Sequence, residues 1–258
     1  GKMAHIIAVA GKGGVGKTTT CGMMIDYLCQ KGMGPLLVVD ADANSNLNEV
    51  LGVDVEMTLG EIREDVERSA DGSTSKIPAG MSKADYMEMM VNRCLIEDDD
   101  FDMLVMGRTQ GKGCYCFVNG LLQAQLAKLT PNYPYMVVDN EAGMEHISRG
   151  ILPKVDTIIL VSDCSRRGVQ AVGRIKELIK ECDLRPTSIG LIINRAPEGK
   201  LNQGTMEEVE KQGLDLLGVI PQDEAVYEYD CDGKPIVQLP KDSPVRKALY
   251  EILDKLNF

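Results

Sequence analysis

The sequence predicts a single doubly wound α/β domain, with a mostly parallel sheet and helices on both faces. Three observations carry this. Short, continuous apolar runs rich in Val, Ile and Leu alternate with helix-patterned segments almost to the end of the chain. The 258 residues suit one large domain, with 44% hydrophobic residues to fill its core. With no Trp and 3 Phe, that core must be built from aliphatic side chains and Met.

The elements follow in order. Strand runs are expected at His5–Ala10, Leu36–Asp40, Asp102–Gly107, Tyr135–Asp139, Asp156–Ser162, Ser188–Asn194 and Leu216–Ile220. Helical patterns fall at Lys17–Lys31, Asn119–Lys128, Arg166–Cys182, Met206–Gln212 and Pro244–Leu256. The stretch from Asp54 to Asp100 is less regular, and its Ser/Gly/Pro-rich centre, Ser69–Gly80, reads as a long loop between helices. The domain is expected to span residues 4–258, with Gly1-Lys2 ahead of Met3 read as an expression remnant.

Charge and apolar pattern narrow the function classes. A net charge of −11 argues against a broad nucleic-acid surface and against electrostatic docking on an anionic membrane. No apolar run is long enough to span a bilayer, and no signal-peptide pattern opens the chain, so a cytoplasmic protein without a stable membrane anchor is expected. In a reducing compartment its 8 cysteines should be free thiols or metal ligands.

The chemistry begins at Gly11-Lys12-Gly13-Gly14-Val15-Gly16-Lys17-Thr18-Thr19, between an apolar strand and a helix. Gly-x-x-x-x-Gly-Lys-Thr in that setting is a phosphate-binding P-loop, whose backbone N–H groups and helix N-terminus face the phosphates. It predicts ATP/ADP binding and ATP hydrolysis. Lys17 should reach the β/γ-phosphates, Thr18 should coordinate Mg²⁺, and Thr19 should hold the α-phosphate. Acidic residues close two strands, at Leu36-Leu37-Val38-Val39-Asp40 with Asp42 beyond it, and at Met136-Val137-Val138-Asp139. Each alone would also suit a helix or turn cap. Asp139 fits a Walker B pattern, helping to hold Mg²⁺ through water. The strand ends Asn194-Arg195 and Pro221-Gln222-Asp223 are candidates for the base pocket, Asn194 by hydrogen bonds to an adenine edge.

With Lys12, the loop resembles the deviant Walker A loop of the MinD/ParA/nitrogenase-iron-protein superfamily. That resemblance implies a homodimer in which Lys12 reaches the partner's nucleotide and stabilises the transferring phosphoryl group. It also implies that Asp40-Ala41-Asp42 is a switch in which Asp42 orients the attacking water and Asp40 supports the Mg²⁺ shell. Asn140-Glu141-Ala142-Gly143 then resembles a second switch.

Gly113-Cys114-Tyr115-Cys116 is the remaining feature with chemical content. Two thiols at i and i+2 on an extended segment would point the same way and supply half of a four-thiolate site, although two ordinary free cysteines are the better account of the motif alone. The stretch from Arg108 to Leu122, and Val138–Gly150 with its Asp139-Asn140-Glu141-Ala142-Gly143-Met144-Glu145-His146 run, resemble the CooC-type carbon monoxide dehydrogenase accessory ATPases and the similar AcsF type. The resemblance implies that Cys114 and Cys116 bind Ni²⁺ or Zn²⁺ at a dimer interface. The client would be apo carbon monoxide dehydrogenase or acetyl-CoA synthase, receiving nickel. Partitioning ATPases share the loop but want a basic DNA-binding face or a basic amphipathic C-terminal helix. Nitrogenase-iron-protein-like reductases want a cysteine just after the second switch, and Asp139–Gly150 has none. The other cysteines, Cys21, Cys29, Cys94, Cys164, Cys182 and Cys231, read as packing residues.

Overall fold

The structure is a computed structural model that describes residues 3–70, 76–108, 116–256 and 258, without the side chains of residues 70 and 116. Cys114 and the first seven residues of the segment ahead of Cys116, 109–115, therefore lie outside the described residues.

Among the described residues eight strands form one sheet: β1 (His5–Ala10), β2 (Leu36–Ala41), β3 (Ile96–Glu97), β4 (Phe101–Val105), β5 (Tyr135–Asn140), β6 (Thr157–Ser162), β7 (Ser188–Ala196) and β8 (Leu216–Pro221). Their spatial order is β3-β4-β2-β5-β1-β6-β7-β8. Only the β3–β4 pairing is antiparallel, and the two-residue β3 is the one strand the sequence pattern does not announce. Strand β2, Leu-Leu-Val-Val-Asp-Ala, is buried throughout, as a strand covered on both faces must be.

Among the described residues ten α-helices accompany the sheet: α1 (Lys17–Gln30), α2 (Leu47–Leu51), α3 (Leu59–Ala70), α4 (Lys83–Cys94), α5 (Cys116–Leu129), α6 (Glu145–Ser148), α7 (Arg166–Glu181), α8 (Gln203–Lys211), α9 (Glu224–Asp232) and α10 (Pro244–Asp254). The irregular stretch after Asp54 therefore contains two full helices. Helix α3 runs through Ser69, where a loop is expected from the sequence; its apolar positions Leu59, Ile62 and Val66 lie on one buried stripe among charged neighbours.

Alternate residues of each central strand feed two cores. Ile6, Ala8 and Ala10 of β1 pack with α3, α4, α5 and α7, whereas Ile7 and Val9 pack with α1, α2 and α10. Helix α10 buries Val245, Leu249, Ile252 and Leu253, as expected of a terminal core helix. Its Arg246 is also buried, donating to Asp26 at 2.6 Å and to the Val237 carbonyl at 2.6 Å. No helix among the described residues is long and apolar enough to cross a membrane.

The topology positions the site. From β1 the chain crosses to β2 on one side, whereas β6, β7 and β8 extend on the other, so the strand order reverses beside β1. The loops after β1, β2 and β5 open together at this point, where open α/β sheets bind ligands.

Candidate functional site

The loop from Gly11 to Gly16 joins β1 to α1. Helices α4, α7, α8, α9 and α10 each carry an Ser, Asn or Asp whose side chain accepts a hydrogen bond from the first turn. Helix α1 has no side-chain cap. Its N-cap is Gly16 in the left-handed region at φ 84°, so its first N–H groups face the loop and favour an anion. A Cβ on Gly16 would stand 2.1 Å from the Asn194 amide nitrogen. A Cβ on Gly13 or Gly14 would meet nothing within 4 Å, so the loop borders open space there.

Beneath the loop lies a buried charge cluster. The Lys17 ammonium pairs with Asp139 and lies 3.1 Å from Asp42. Thr18 donates to Asp139 at 3.1 Å, and Ser45 donates to the same carboxylate oxygen at 2.9 Å. Burial pulls Lys17 down, but the adjacent Asp139 and Asp42 carboxylates outweigh it, leaving the ammonium above its ordinary pKa and charged. Asp40, 3% exposed, accepts from the Asp42 backbone at 3.1 Å. Burial, reinforced by Asp139, raises its carboxyl to about 7.

Thr18, Ser45, Asp139 and Asp40 together offer hard hydroxyl and carboxylate oxygens, the donor set that Mg²⁺ takes, so these residues fit the ion. Ser45 is the member sequence reasoning missed. It stands three residues past Asp42 with no motif of its own, although the Ser that follows an Asp-rich strand end is a reasonable place to look. Among the described residues no three His, Cys, Asp or Glu side chains gather as a metal site.

Lys12 is exposed and makes no ion pair among the described residues. The expected base-pocket residues do come together. A cavity of about 740 Å³ is lined by Thr19, Asn194, Arg195, Pro221, Gln222 and Asp223 with their neighbours. Asp223 spends one oxygen on the Ala225 N–H at 2.9 Å; its other oxygen is buried without a partner among the described residues. Asn194 and Arg195 have a second task that the sequence did not suggest. Asn194 donates to the Val15 carbonyl at 3.1 Å and Arg195 to the Gly14 carbonyl at 2.5 Å, so both brace the phosphate loop. With one amide N–H spent on Val15, Asn194 keeps its other N–H and its carbonyl oxygen for a base edge.

The cysteines divide differently from expectation. Cys116 is the first residue of α5, so it does not sit on an extended segment; Cys114 lies outside the described residues. Cys21 and Cys94 are buried packing residues, but Cys182 and Cys231 are exposed, which corrects the packing reading for those two. Helix α7 ends before Cys182, and the short α9 presents Cys231 outward.

Residues 6–236 match the CobQ/CobB/MinD/ParA nucleotide binding domain, and the chain belongs to that family. Over 97% of its length it is 42% identical to MJ0685 of Methanocaldococcus jannaschii, an uncharacterized ATP-binding protein of which it covers 98%. It is 27% identical to the carbon monoxide dehydrogenase accessory protein CooC of Rhodospirillum rubrum, across 88% of this chain and 87% of that one. Among solved structures, a ParA family ATPase from Chlorobium tepidum superposes with a TM-score of 0.73 at 20% identity, covering 99% of each chain. The protein is thus an ATP-binding P-loop ATPase.

Proposed function

We propose that this ATPase is a nickel-insertion maturation factor for carbon monoxide dehydrogenase or acetyl-CoA synthase, working as a homodimer in the cytoplasm. The observation that carries the reading is the Cys114-x-Cys116 pair in a chain with a CooC relative along 88% of its length. Two thiolates per subunit are soft ligands, and a second copy completes a four-thiolate site for Ni²⁺ or Zn²⁺.

Hydrolysis is assigned to the buried cluster. Asp42 orients a water whose oxygen bonds to the γ-phosphorus as the bond to the bridging oxygen breaks; ADP departs and the water's proton ends on phosphate. Lys17 neutralises the β/γ-phosphate oxygens, giving up its contacts with Asp139 and Asp42 to do so. Lys12, exposed on the loop, supplies a cation to the partner's nucleotide. Thr18, Asp40 and Asp139, with Ser45 beside them, would hold Mg²⁺, which would supply positive charge against the phosphate oxygens. Thr19 holds the α-phosphate, and Asn194, Arg195, Pro221, Gln222 and Asp223 surround the base.

A partitioning role shares the loop, but α10 has its apolar side in the core and the net charge is −11, which favour the maturation reading. The test is activation of apo-dehydrogenase and apo-synthase side by side with Ni²⁺ and ATP. Wild type is expected to activate one of them, and Cys114→Ser/Cys116→Ser to activate neither while still hydrolysing ATP. Stoichiometric nickel binding by that variant at wild-type affinity would sink the reading.

A further inference from the structure

The end of β4 and the segment after β2 are joined by one side-chain contact across 64 residues of sequence, in which the Arg108 guanidinium donates to the Asn44 side-chain carbonyl. Asn44 belongs to the turn that presents Asp42. Its own N–H donates to the Asp42 carboxylate at 2.9 Å, and the Ser45 N–H donates to the Asp42 carbonyl at 2.9 Å. These bonds tie Asn44 to Asp42 within one turn.

The other end of the contact is held firmly. The Gly60 N–H donates to the Met106 carbonyl at 2.7 Å, and the Arg108 carbonyl lies so close to Gly60 that a Cβ there would be 2.4 Å from it. The Arg108 backbone is therefore seated on the first turn of α3. One turn further along α3, Arg63 donates to Asn119 of α5 at 3.2 Å. Every link from Asp42 to α5 is thus a direct hydrogen bond, a close backbone approach or a rigid helix. The Arg108 side chain borders an open polar cleft of about 240 Å³, shared with Ala43, Glu141, Glu145 and His146. It can exchange partners there without disturbing either core.

We propose that Arg108 and Asn44 are positioning residues that couple the Asp42 turn to α5, the helix that begins at Cys116. Nucleotide occupancy at Lys17 and Asp42 then alters the setting of Cys116, and the state of the thiols acts back on the nucleotide site by the same amount. The cargo in this inference rests on the proposed function; the joint itself does not.

The experiment follows thiol alkylation, mapped to Cys114 and Cys116 by peptide mass, with ADP and with a non-hydrolysable ATP analogue. Wild-type rates are expected to differ between the two nucleotides by about fivefold or more. In Arg108→Ala that difference collapses while basal ATP hydrolysis stays within about twofold, because Arg108 touches no reacting group. Asn44→Ala collapses it as well, and the double variant adds nothing further, as expected when both residues serve one contact. Arg108→Lys keeps a donor and retains part of the response, which a general disturbance of the loop would not allow. Arg108→Ala with an undiminished nucleotide response, or wild-type thiols indifferent to nucleotide, overturns the coupling. Nickel titration of the same samples separates the two readings. Nucleotide-dependent thiols that take up no nickel end the nickel assignment and leave the joint standing. Nickel uptake with an unchanged response in Arg108→Ala does the reverse.

Discussion

At the phosphate loop, Lys17 and Asp139, 122 residues apart in sequence, are buried together with Thr18, Asp42 and Ser45 around them. Over β4, by contrast, the α3–α5 flank meets the Asp42 turn through the exposed Arg108–Asn44 contact beside an open cleft. Both regions are polar and both lie along the same edge of the sheet, yet they respond to change differently. Burial makes each group in the first depend on its partner, because an uncompensated buried charge is expensive. In the second, water can replace a lost partner, so the contact can be broken and remade at little cost. The first region suits chemistry at a fixed geometry, and the second suits transmission.

The largest way to break the comparison is Lys17→Ala. It should lower ATP hydrolysis by about 10²-fold or more through loss of a phosphate cation. It should also destabilise the fold by roughly 3–5 kcal/mol, because the Asp139 carboxylate is left buried without its ion-pair partner. Phosphate release and urea unfolding measure the two effects. A Lys17→Ala protein as stable as wild type would show that this cluster is less interdependent than the burial of Asp139 implies.

A smaller effect divides the loop itself. Gly16→Ala places a Cβ 2.1 Å from the Asn194 amide, on a residue at φ 84°, and Asn194 is committed to the Val15 carbonyl. About 1–3 kcal/mol of stability should be lost. Gly13→Ala meets nothing within 4 Å and should leave stability within about 0.5 kcal/mol while weakening nucleotide binding. Unfolding midpoints with and without ATP decide this, and equal losses in the two variants would contradict the open-cradle geometry.

The smallest effect probes the cleft. His146 lines it, and burial, with Arg63 and Arg149 nearby, lowers its pKa from 6.5 to about 4. The unfolded chain therefore takes up this proton before the folded one does. Stability from keeping His146 neutral is present above pH 6.5 and is lost as the pH falls toward 4, by up to about 3 kcal/mol. Asp40, raised to about 7, titrates over the same window with the opposite sign, since its folded form binds the extra proton. The difference between wild type and His146→Gln isolates the histidine: the gap in unfolding free energy should narrow steadily from pH 7 to pH 4. A gap that does not change with pH would show that the cleft leaves His146 as solvated as an open surface does.

How much of this the sequence disclosed follows from how local each signal is. The central strands are legible because parallel strands buried on both faces must be apolar along most of their length, and the half-buried β4 and β8 remain apolar enough to be read with them. Strand β3 is two residues long and antiparallel, too short for any pattern. Helices α3 and α4 were obscured by the Ser/Gly/Pro-rich stretch between them, which lowered the apolar density on both sides. Asn194, Arg195, Pro221, Gln222 and Asp223 were expected at one pocket, and they line one cavity, which Thr19, expected at the α-phosphate, also borders. Ser45 escaped because a single hydroxyl has no spacing to betray it, and the bracing bonds of Asn194 and Arg195 escaped because their acceptors are backbone carbonyls, which every residue has.

By itself the sequence determined the phosphate loop, the alternation of strand and helix, and the acidic strand ends, since each depends on residue types at fixed short spacings. Only the tertiary structure decided which of those residues meet. It buried Lys17 against Asp139, turned Asn194, expected at an adenine edge, onto the phosphate loop, and set Arg108 against Asn44. The reason is the sheet order: β5 inserts between β1 and β2, bringing Asp139 beneath Lys17, and β4 lies on the far side of β2, bringing Arg108 to the Asp42 turn. Contacts of that range depend on strand order and register, which no short window of sequence contains.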